Sequence, residues 1–332
     1  MNTTSHIAPG GFLTRPMDKA DVPAWLDLRG DAERVDRTGH HVDADDLAEE
    51  LENPKLDLER DTLTLWDGAR MVAYALVHTP DGAVDAARFR GNAAVRPEWR
   101  RQGLGRHLVA WMDSRARALY AEGFTHLPGE LLISGKSGDA NLEALAANAS
   151  FTACRWWFEM THPLNTGRPM TGGVPQGLRL VPFEPAYDEA TRLAHNDAFR
   201  DHWDFTEMDG TDWRTWVVGA RSFRPALSRL LLDGDEVVAY LIAEEYDADT
   251  AADGTRDCHI GYLATRRSHR GRGAAPALMA ATLDAALTHG YDSASLTVDT
   301  ANPSGALGLY ERLGFTTHRE YVTYARSLEA RR

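Results

Sequence analysis

The sequence is short of the features that mark exported, membrane-spanning and metal-binding proteins. Its two cysteines, Cys154 and Cys258, lie far apart and have no CxxC companion, which excludes a disulfide framework and a cysteine-rich zinc site. No stretch approaches the ~18–20 uninterrupted apolar residues of a membrane span. The first residues also lack a basic group before an apolar run, unlike a secretory signal. We therefore expect a cytoplasmic protein that binds neither membrane nor metal.

Positive charge is also scarce. The 332 residues include 36 Lys and Arg against 49 Asp and Glu, a formal net charge of −13. Binding to a nucleic-acid backbone needs a basic face, so we expect no nucleic-acid partner. An acidic surface suits a cationic small molecule or peptide. Hydrophobic residues make up 43% of the chain, enough for packed cores, and the length predicts about two domains.

An internal repeat covers most of the chain. Three landmarks recur in the same order at offsets of 166, 170 and 164 residues: Leu65–Leu76 with Leu231–Ile242, Arg100–Gly105 with Arg270–Ala275, and Ser150-Phe151 with Gly314-Phe315. A repeat of this length indicates two homologous domains. We place them at residues 11–162 and 178–328, and the Pro- and Gly-rich residues 163–177 have the composition of a linker.

Each copy follows the same coarse plan. The Asp-Gly pairs at 67–68 and 233–234 lie between apolar runs, a strong hairpin signal. A third strand, a glycine-rich turn, an amphipathic helix, a further strand, a short helix and a last strand follow. This pattern predicts an α/β fold of the mixed α+β type, in which a mixed, mostly antiparallel sheet is flanked by helices.

The glycine-rich turn is the chemically informative part of each copy. Arg270–Ala275 and Arg100–Gly105 lie where a strand leads into a helix. The first N–H groups of a helix lack intrahelical partners and attract anions, and glycine lets the backbone approach closely. We expect these N–H groups to hold a pyrophosphate whose charge the arginines screen. The turn is neither a P-loop nor a dinucleotide fingerprint.

These motifs resemble those of the GNAT superfamily of N-acetyltransferases. The family loop, Arg/Gln-x-x-Gly-x-Gly/Ala, is matched by Arg100-x-x-Gly103-x-Gly105 and Arg270-x-x-Gly273-x-Ala275. The second copy adds a downstream segment, from Asn302-Pro303 to Gly314-Phe315, that is similar to the family's Asn…Leu-Tyr-x-x-x-Gly-Phe. The resemblance implies two tandem GNAT-like domains. Their tandem arrangement is similar to that of the mycothiol synthase-like branch.

The resemblance also implies a reaction and its co-substrate. We expect acetyl-CoA to supply an acetyl group to a primary amine of a small molecule or peptide. In the second copy the residues implied in acetyl-CoA binding are Leu263, Ala264, Thr265, Arg270, Gly271, Arg272, Gly273, Ala274, Ala275 and Asn302. In the first copy they are Val95, Arg100, Arg101, Gln102, Gly103, Leu104 and Gly105.

The catalytic candidates lie in the second copy. By resemblance, Tyr310 would donate a proton to the departing thiolate; an unperturbed tyrosine, with a pKa of about 10, is protonated at neutral pH. Mycothiol synthase-like enzymes use a Glu as base on the strand before the loop, and the matching residue here is His259. A histidine titrates near neutrality and can accept a proton. Glu244 and Glu245, on the preceding strand, are rivals.

The first copy lacks both candidates. Alignment places Ala146 opposite Tyr310 and Phe89 opposite His259, so we expect a degenerate N-terminal domain and an active site in the C-terminal one. Two alternatives stay open: a non-catalytic acyl-CoA-binding or sensing protein, and a transferase of a longer acyl chain. The sequence also leaves open whether the protein is a monomer or a homodimer.

Overall fold

The computed structural model describes residues 6–7, 10–80, 82–165, 172–302 and 305–329. Residues 166–171 of the linker inferred from composition lie outside the described residues, and so does Pro303 of the downstream motif. None of the helices within the described ranges is both long enough and apolar enough to cross a membrane.

Strands and helices alternate along the chain in the order that the repeat predicts. The strands are β1 His6–Ile7, β2 Leu13–Arg15, β3 Thr62–Asp67, β4 Arg70–His78, β5 Ala87–Val95, β6 Gly129–Lys136, β7 Thr152–Pro163, β8 Arg179–Pro182, β9 Arg229–Asp233, β10 Glu236–Glu244, β11 Asp257–Thr265, β12 Ser293–Asp299 and β13 Thr316–Ser327. The helices are α1 Val22–Asp36, α2 Ala44–Leu51, α3 Leu58–Asp61, α4 Leu104–Gly123, α5 Ala140–Asn148, α6 Asp188–Phe199, α7 Gly210–Trp213, α8 Asp247–Asp253, α9 Ala274–Thr288 and α10 Ala306–Arg312.

The chain forms two compact units. Unit 1 comprises the described residues up to 155 and those from 321 onward, and unit 2 comprises the described residues from 156 to 320. The chain therefore leaves unit 1 within β7 and returns to it within β13. The limits 11–162 and 178–328 follow the repeat along the sequence, whereas the units follow contacts in space, and those domain limits stay a prediction.

Unit 1 contains a mixed sheet. Strands β1 to β6 pair in order, antiparallel except for the parallel pair β5–β6. The C-terminal part of β13, Tyr321–Ser327, pairs antiparallel with β6. Helix α4 buries Leu108, Met112 and Ala116 on one side of the sheet, because these positions recur every three to four residues and so share a helix face. Trp25 of α1 lies in a separate core with β4 residues such as Tyr74.

Unit 2 repeats this architecture. Strands β8 to β12 pair in order, antiparallel except for the parallel pair β11–β12. Residues 157–163 of β7 then pair antiparallel with β12. Helix α9 packs Leu278 and Leu283 on one side of the sheet, and α6 packs Ala194 and Ala198 in a second core with Tyr240. The prediction of a mixed, mostly antiparallel sheet flanked by helices is confirmed.

Corresponding backbone hydrogen bonds confirm that the units are copies of one plan. The N–H of Arg96 donates to the carbonyl of Val72 at 2.9 Å, and that of Arg266 donates to Val238 at 2.8 Å. Both Asp-Gly hairpins form as predicted, with Asp67 paired to Arg70 and Asp233 paired to Glu236. Tight two-residue connections of this kind fix strand register locally.

Candidate active site

The turn before α9 in unit 2 is built on two glycines with left-handed backbone. Gly271 has φ 74° and Gly273, the N-cap of α9, has φ 87°. A side chain other than glycine is strained in this region. An added Cβ at either position would meet nothing within 4 Å. The turn is therefore shaped by backbone conformation, and the space beside it is open.

Backbone N–H groups at this turn can face an anion. The first intrahelical hydrogen bond runs from the N–H of Ala277 to the carbonyl of Gly273 at 3.3 Å. The N–H groups of Ala274 and Ala275 precede it, and Pro276 has none. No side-chain hydrogen bond caps this helix. Donors that lack intrahelical partners, together with the helix dipole, favour a phosphate at this position.

The motif arginines anchor the turn to the protein. The guanidinium of Arg270 donates to the carbonyl of Thr265 at 3.2 Å and to that of Ala198 at 2.8 Å. In unit 1, Arg100 donates to the carbonyl of Val95 at 2.9 Å and also to both carboxylate oxygens of Asp36. The hydrogen bonds of Arg270 and Arg100 are directed to the protein itself, and the screening of a phosphate by the motif arginines stays a prediction.

The sequence assigns no role in the site to a second pair of corresponding arginines, Arg266 and Arg96. Arg266 donates through Nε to the carbonyl of Val237 at 2.8 Å, and Arg96 donates to Met71 at 3.1 Å. Arg96 is fully buried and also pairs with Asp27 and Asp31. Their recurrence at the offset of the glycine-rich turns was the available signal. Both arginines tie the end of a strand to its neighbour just before the turn.

Strands β11 and β12 separate beside the turn. Their parallel pairing runs only from Asp257 to Ile260 on β11 and from Ser293 to Leu296 on β12, although β11 continues to Thr265 and β12 to Asp299. Leu263, Ala264 and Thr265 lie on the diverging part of β11 and pair with β10 along the other edge. The open edge offers backbone groups to an extended ligand.

Glu244 and His259 face each other across β10 and β11. They are direct partners in the antiparallel register, after a shift between Ile242 and Ala243 that leaves Gly261 as an extra residue on β11. Such an extra residue is a β-bulge, which redirects neighbouring side chains. A Cβ on Gly261 would lie 2.5 Å from Oε1 of Glu244. Only glycine leaves room for this buried carboxylate.

Each member of this pair has a polar partner of its own. The hydroxyl of Tyr246 donates to Oε2 of Glu244 at 2.8 Å. Nδ1 of His259 lies 2.9 Å from Oγ of Ser295 on β12. Glu244 is buried and His259 is half-buried. The structure therefore brings two of the proposed base candidates together on one face of the sheet.

Glu245 is held in a network of its own. Its carboxylate accepts hydrogen bonds from Arg256 at 2.6 Å, Arg224 at 2.7 Å and Tyr291 at 2.6 Å. Burial alone would raise the pKa of Glu245, but these hydrogen bonds outweigh it and lower the pKa to about 2. A carboxylate this acidic is a poor proton acceptor near neutral pH. The contacts argue against Glu245 as a base and favour Glu244 among the two glutamates.

Tyr310 lies on α10 in the apolar core of unit 2. Its ring contacts Phe315 edge-on, with 6.1 Å between centroids. Burial raises the pKa of Tyr310 to about 12, so the phenol stays protonated throughout the physiological range. Its carbonyl accepts from the N–H of Phe315 at 3.0 Å, and in unit 1 the carbonyl of Ala146 accepts from Phe151 at 2.9 Å. Ala146 therefore occupies the position of Tyr310.

Asn302 lies in the turn between β12 and α10. Its N–H donates to the carbonyl of Asp299 at 3.1 Å, and its own carbonyl accepts from Gly305 at 3.4 Å. This places Asn302 just beyond the end of β12, the strand that separates from β11.

Comparisons with known proteins agree with this geometry. Residues 189–315, all within unit 2, match the Acetyltransferase (GNAT) family. A mycothiol acetyltransferase of Thermobispora bispora is 30% identical over 271 residues, which cover 80% of this chain and 83% of that protein. The chain belongs to the GNAT family of acetyltransferases. A second mycothiol acetyltransferase, from Salinispora arenicola, is 28% identical over 316 residues and 94% of each chain.

Solved structures show the same fold as this GNAT acetyltransferase. A GCN5-related N-acetyltransferase from Sphaerobacter thermophilus has a TM-score of 0.77 at 22% identity and covers 97% of both chains. A tandem GNAT protein from the clavulanic acid biosynthesis pathway has a TM-score of 0.71 at 19% identity, covering 97% of this chain and all of that one. The tandem GNAT architecture expected from the repeat is confirmed.

Unit 1 of the acetyltransferase has a corresponding turn before α4. Gly103, with φ 86°, caps α4, and Arg101 adopts φ 65° at the position of Gly271. Gln102 donates to the carbonyl of Glu98 at 3.4 Å. The first bond of α4 runs from His107 to Gly103, so the N–H groups of Leu104 and Gly105 precede it.

The register of unit 1 corrects one alignment. Sequence spacing put Phe89 opposite His259, but Phe89 is fully buried in the core on the α4 side. Strands β4 and β5 pair without a bulge, and His78, which corresponds to Glu244, faces Arg90. The bulge adds one residue to β11 and none to β5. An alignment without gaps is therefore shifted by one position for the residues that precede Gly261.

Within the described part of the acetyltransferase, no group of three or more His, Cys, Asp or Glu residues is arranged to hold a metal. Cys258 is fully buried, and desolvation raises the pKa of its thiol to about 12.

Proposed function

We propose that this protein is an acetyl-CoA-dependent N-acetyltransferase that acts on a primary amine of a small molecule or peptide, and that its active site lies in unit 2. The observation that carries the proposal is the pairing of Glu244 with His259 beside the point where β11 and β12 separate. In unit 1 the corresponding residues are His78 and Arg90, and Ala146 replaces Tyr310.

The residues of unit 2 fit acetyl-CoA, which supplies an activated acetyl thioester when it is bound. Ala274 and Ala275 present helix N–H groups to its pyrophosphate, beside the open left-handed turn at Gly271 and Gly273. The part of β11 beyond Ile260, where its pairing with β12 has ended, suits an extended chain with amide groups. Asn302 follows the end of β12, the strand that separates from β11.

Proton transfer on the acceptor side falls to His259 or Glu244. An amine must be neutral to attack a carbonyl, so a base has to take its proton. Imidazole has an unperturbed pKa of about 6.5 and can do so near neutral pH. We assign His259 as the base, with the Glu244 carboxylate opposite it favouring the imidazolium that results. Glu244 is the rival assignment.

On the leaving side we assign Tyr310 as the acid. Its buried phenol keeps its proton at neutral pH, and it can donate that proton to the thiolate as the carbon–sulfur bond breaks. Unit 1 has no equivalent, because Ala146 carries no acidic proton.

The acceptor is a cationic amine in its resting state, which agrees with the net charge of −13. The relatives described above are mycothiol acetyltransferases. We therefore propose the unacetylated form of mycothiol as the first acceptor to test, alongside amino sugars, amino acid derivatives and short peptides.

Release of free CoA thiol in the presence of an amine tests the proposal. We expect thiol release with acetyl-CoA and at least one amine of such a panel, with loss of turnover in Tyr310→Phe. A protein that binds acetyl-CoA by calorimetry but releases no thiol with any amine would instead be an acyl-CoA-binding protein. Faster release with longer acyl-CoAs would show that the transferred group is not acetyl.

A further inference from the structure

A chain of hydrogen-bonded side chains ends at His259. Asp257 and His259 lie two residues apart on β11, and Ser293 and Ser295 lie two apart on β12. The parallel register pairs Asp257 with Ser293 and His259 with Ser295. Alternate residues of a strand point to the same face of a sheet. The four side chains therefore lie together on one face, and two hydroxyls stand beside one carboxylate.

The hydrogens in this chain have a single consistent arrangement. The hydroxyls of Ser295 and Ser293 donate to the two carboxylate oxygens of Asp257, because an ionised carboxylate can only accept. A serine has one hydroxyl hydrogen, so Oγ of Ser295 can only accept from His259, whose Nδ1 lies 2.9 Å away. Nδ1 must then carry the proton of the neutral imidazole, and Nε2 keeps its lone pair.

We propose that Asp257 and Ser295 are positioning residues that hold His259 in the tautomer whose Nε2 accepts a proton. This inference rests on the proposed function. In the step, the lone pair of the neutral acceptor amine bonds the acetyl carbon, and one N–H bond of that amine breaks as a bond from hydrogen to Nε2 forms. The carbon–sulfur bond breaks with its electron pair on sulfur, and the sulfur takes the proton of Tyr310. One proton then passes through solvent from the imidazolium to the phenolate and restores both groups. No electrons are gained or lost overall.

Two carboxylates and one phenol also face His259. Glu244 is the last residue of β10, Tyr246 follows that strand, and Asp257 lies on β11 with His259. The ring of Tyr246 lies 5.7 Å from that of His259, and its hydroxyl is used on Glu244. Replacing Ser295 by alanine removes the hydrogen bond but neither negative charge. This substitution therefore separates control of the tautomer from general electrostatic support.

The tautomer can be read without any turnover. In the full chain labelled with ¹⁵N-histidine, long-range ¹H–¹⁵N spectra distinguish Nδ1–H from Nε2–H imidazole, and His259→Gln identifies the His259 signals by their loss. At a pH where the imidazole is neutral, we expect the Nδ1–H form in the wild type and a mixture of the two tautomers in Ser295→Ala. A wild-type His259 in the Nε2–H form would overturn the inference even if the protein acetylates amines.

Kinetics provide the second readout. We expect Ser295→Ala to lower kcat by about tenfold or more, while KM for acetyl-CoA stays within about twofold. We also expect the acidic limb of the pH profile to move to lower pH in this variant. Ser295→Thr keeps the hydroxyl and should restore most of kcat. Thr297→Ala, two residues along the same face of β12, is the matched control. Wild-type kinetics in Ser295→Ala would refute the inference. Absence of acetyl transfer with every amine would refute the proposed function alone, and the spectra would then decide whether Asp257 and Ser295 fix the tautomer of His259.

Discussion

At the residue scale, the buried phenol of Tyr310 distinguishes unit 2 most sharply from unit 1. Tyr310→Phe removes one hydroxyl and keeps the ring that contacts Phe315. We expect kcat to fall by about 10²–10⁴-fold, the usual effect of losing a positioned acid, with acetyl-CoA affinity unchanged. Steady-state thiol release and calorimetry measure the two quantities. A variant with near-normal kcat would show that another group protonates the sulfur.

The facing residues His259 and Glu244 make different predictions for the pH profile. If the imidazole is the base, His259→Ala should lower kcat by roughly 10²-fold and flatten the acidic limb of kcat/KM. Glu244→Gln, which keeps size and loses charge, should then have a smaller effect and retain the limb. The reverse pattern would transfer the role to Glu244. Both profiles come from the same thiol-release assay measured across pH.

At the scale of elements, the β-bulge at Gly261 makes β11 differ from its counterpart β5. The extra residue turns His259 to the face of Glu244 and provides the space into which that carboxylate fits. In β5 the pairing is regular, and the space next to Gly91 is taken by Met112. One inserted backbone position thus changes which residues meet across the strands.

Gly261→Ala tests the bulge. The new Cβ would lie 2.5 Å from Oε1 of Glu244, so the carboxylate must move. We expect kcat to fall by about tenfold or more and the free energy of unfolding to fall by about 1–3 kcal/mol. Gly91→Ala is the control in unit 1, where the Cβ would meet Met112 Sδ at 2.7 Å and turnover should not change. Equal losses in both variants would mean that general overpacking, and not Glu244, is responsible.

Helix α6 packs on its sheet through a neutral histidine. His195 is buried, its Nδ1 lies 2.6 Å from the hydroxyl of Tyr240, and its ring stacks on Phe199. Burial, with a smaller effect of His202, lowers the pKa of His195 to about 4. The folded protein therefore resists protonation of this side chain, whereas the unfolded chain accepts the proton near pH 6.5.

This difference makes unit 2 less stable in acid. Between pH 6.5 and about 4 the unfolded state binds a proton that the folded state does not, so the free energy of unfolding falls as pH is lowered. For His195 the loss is at most about 3 kcal/mol, and it levels off below the folded pKa. Urea unfolding at pH 7 and pH 4.5 should show a smaller pH-dependent loss in His195→Gln than in the wild type. Equal losses would contradict the shift.

At the scale of the whole molecule, the glycine-rich turns of the two units can be compared by placing a negative charge at equivalent positions in each. Gly271 and Arg101 both have left-handed backbone, with φ 74° and 65°. Gly271→Asp puts a negative charge where we expect a pyrophosphate and should raise KM for acetyl-CoA by about tenfold or more. Arg101→Asp should leave turnover nearly intact. Gly271→Asn introduces a side chain of the same size as aspartate without its charge, and so separates the effect of charge from that of bulk. Loss of activity only in Arg101→Asp would place the active site in unit 1.

Much of this organisation was readable from the sequence because it is local. An Asp-Gly pair between apolar runs specifies a hairpin by backbone preference, and glycines 271 and 273 mark a left-handed turn before a helix. Apolar residues recurring every three to four positions indicate the buried face of α4 and α9. The replacement of Tyr310 by Ala146 is visible from the repeat alone, since the helix and the following phenylalanine keep the same spacing.

The rest depends on residues that meet only in three dimensions. The bulge that pairs Glu244 with His259, the hydrogen bond from Arg270 to the carbonyl of Ala198, and the arginines that lower the pKa of Glu245 all depend on contacts between different elements. The partners of the last strand of each repeat are equally non-local: residues 157–163 of β7 pair with β12, and residues 321–327 of β13 pair with β6. Strand pattern specifies which face is buried but not which edge a strand joins, so only the tertiary structure decided these pairings and the hydrogen bonds that reach His259.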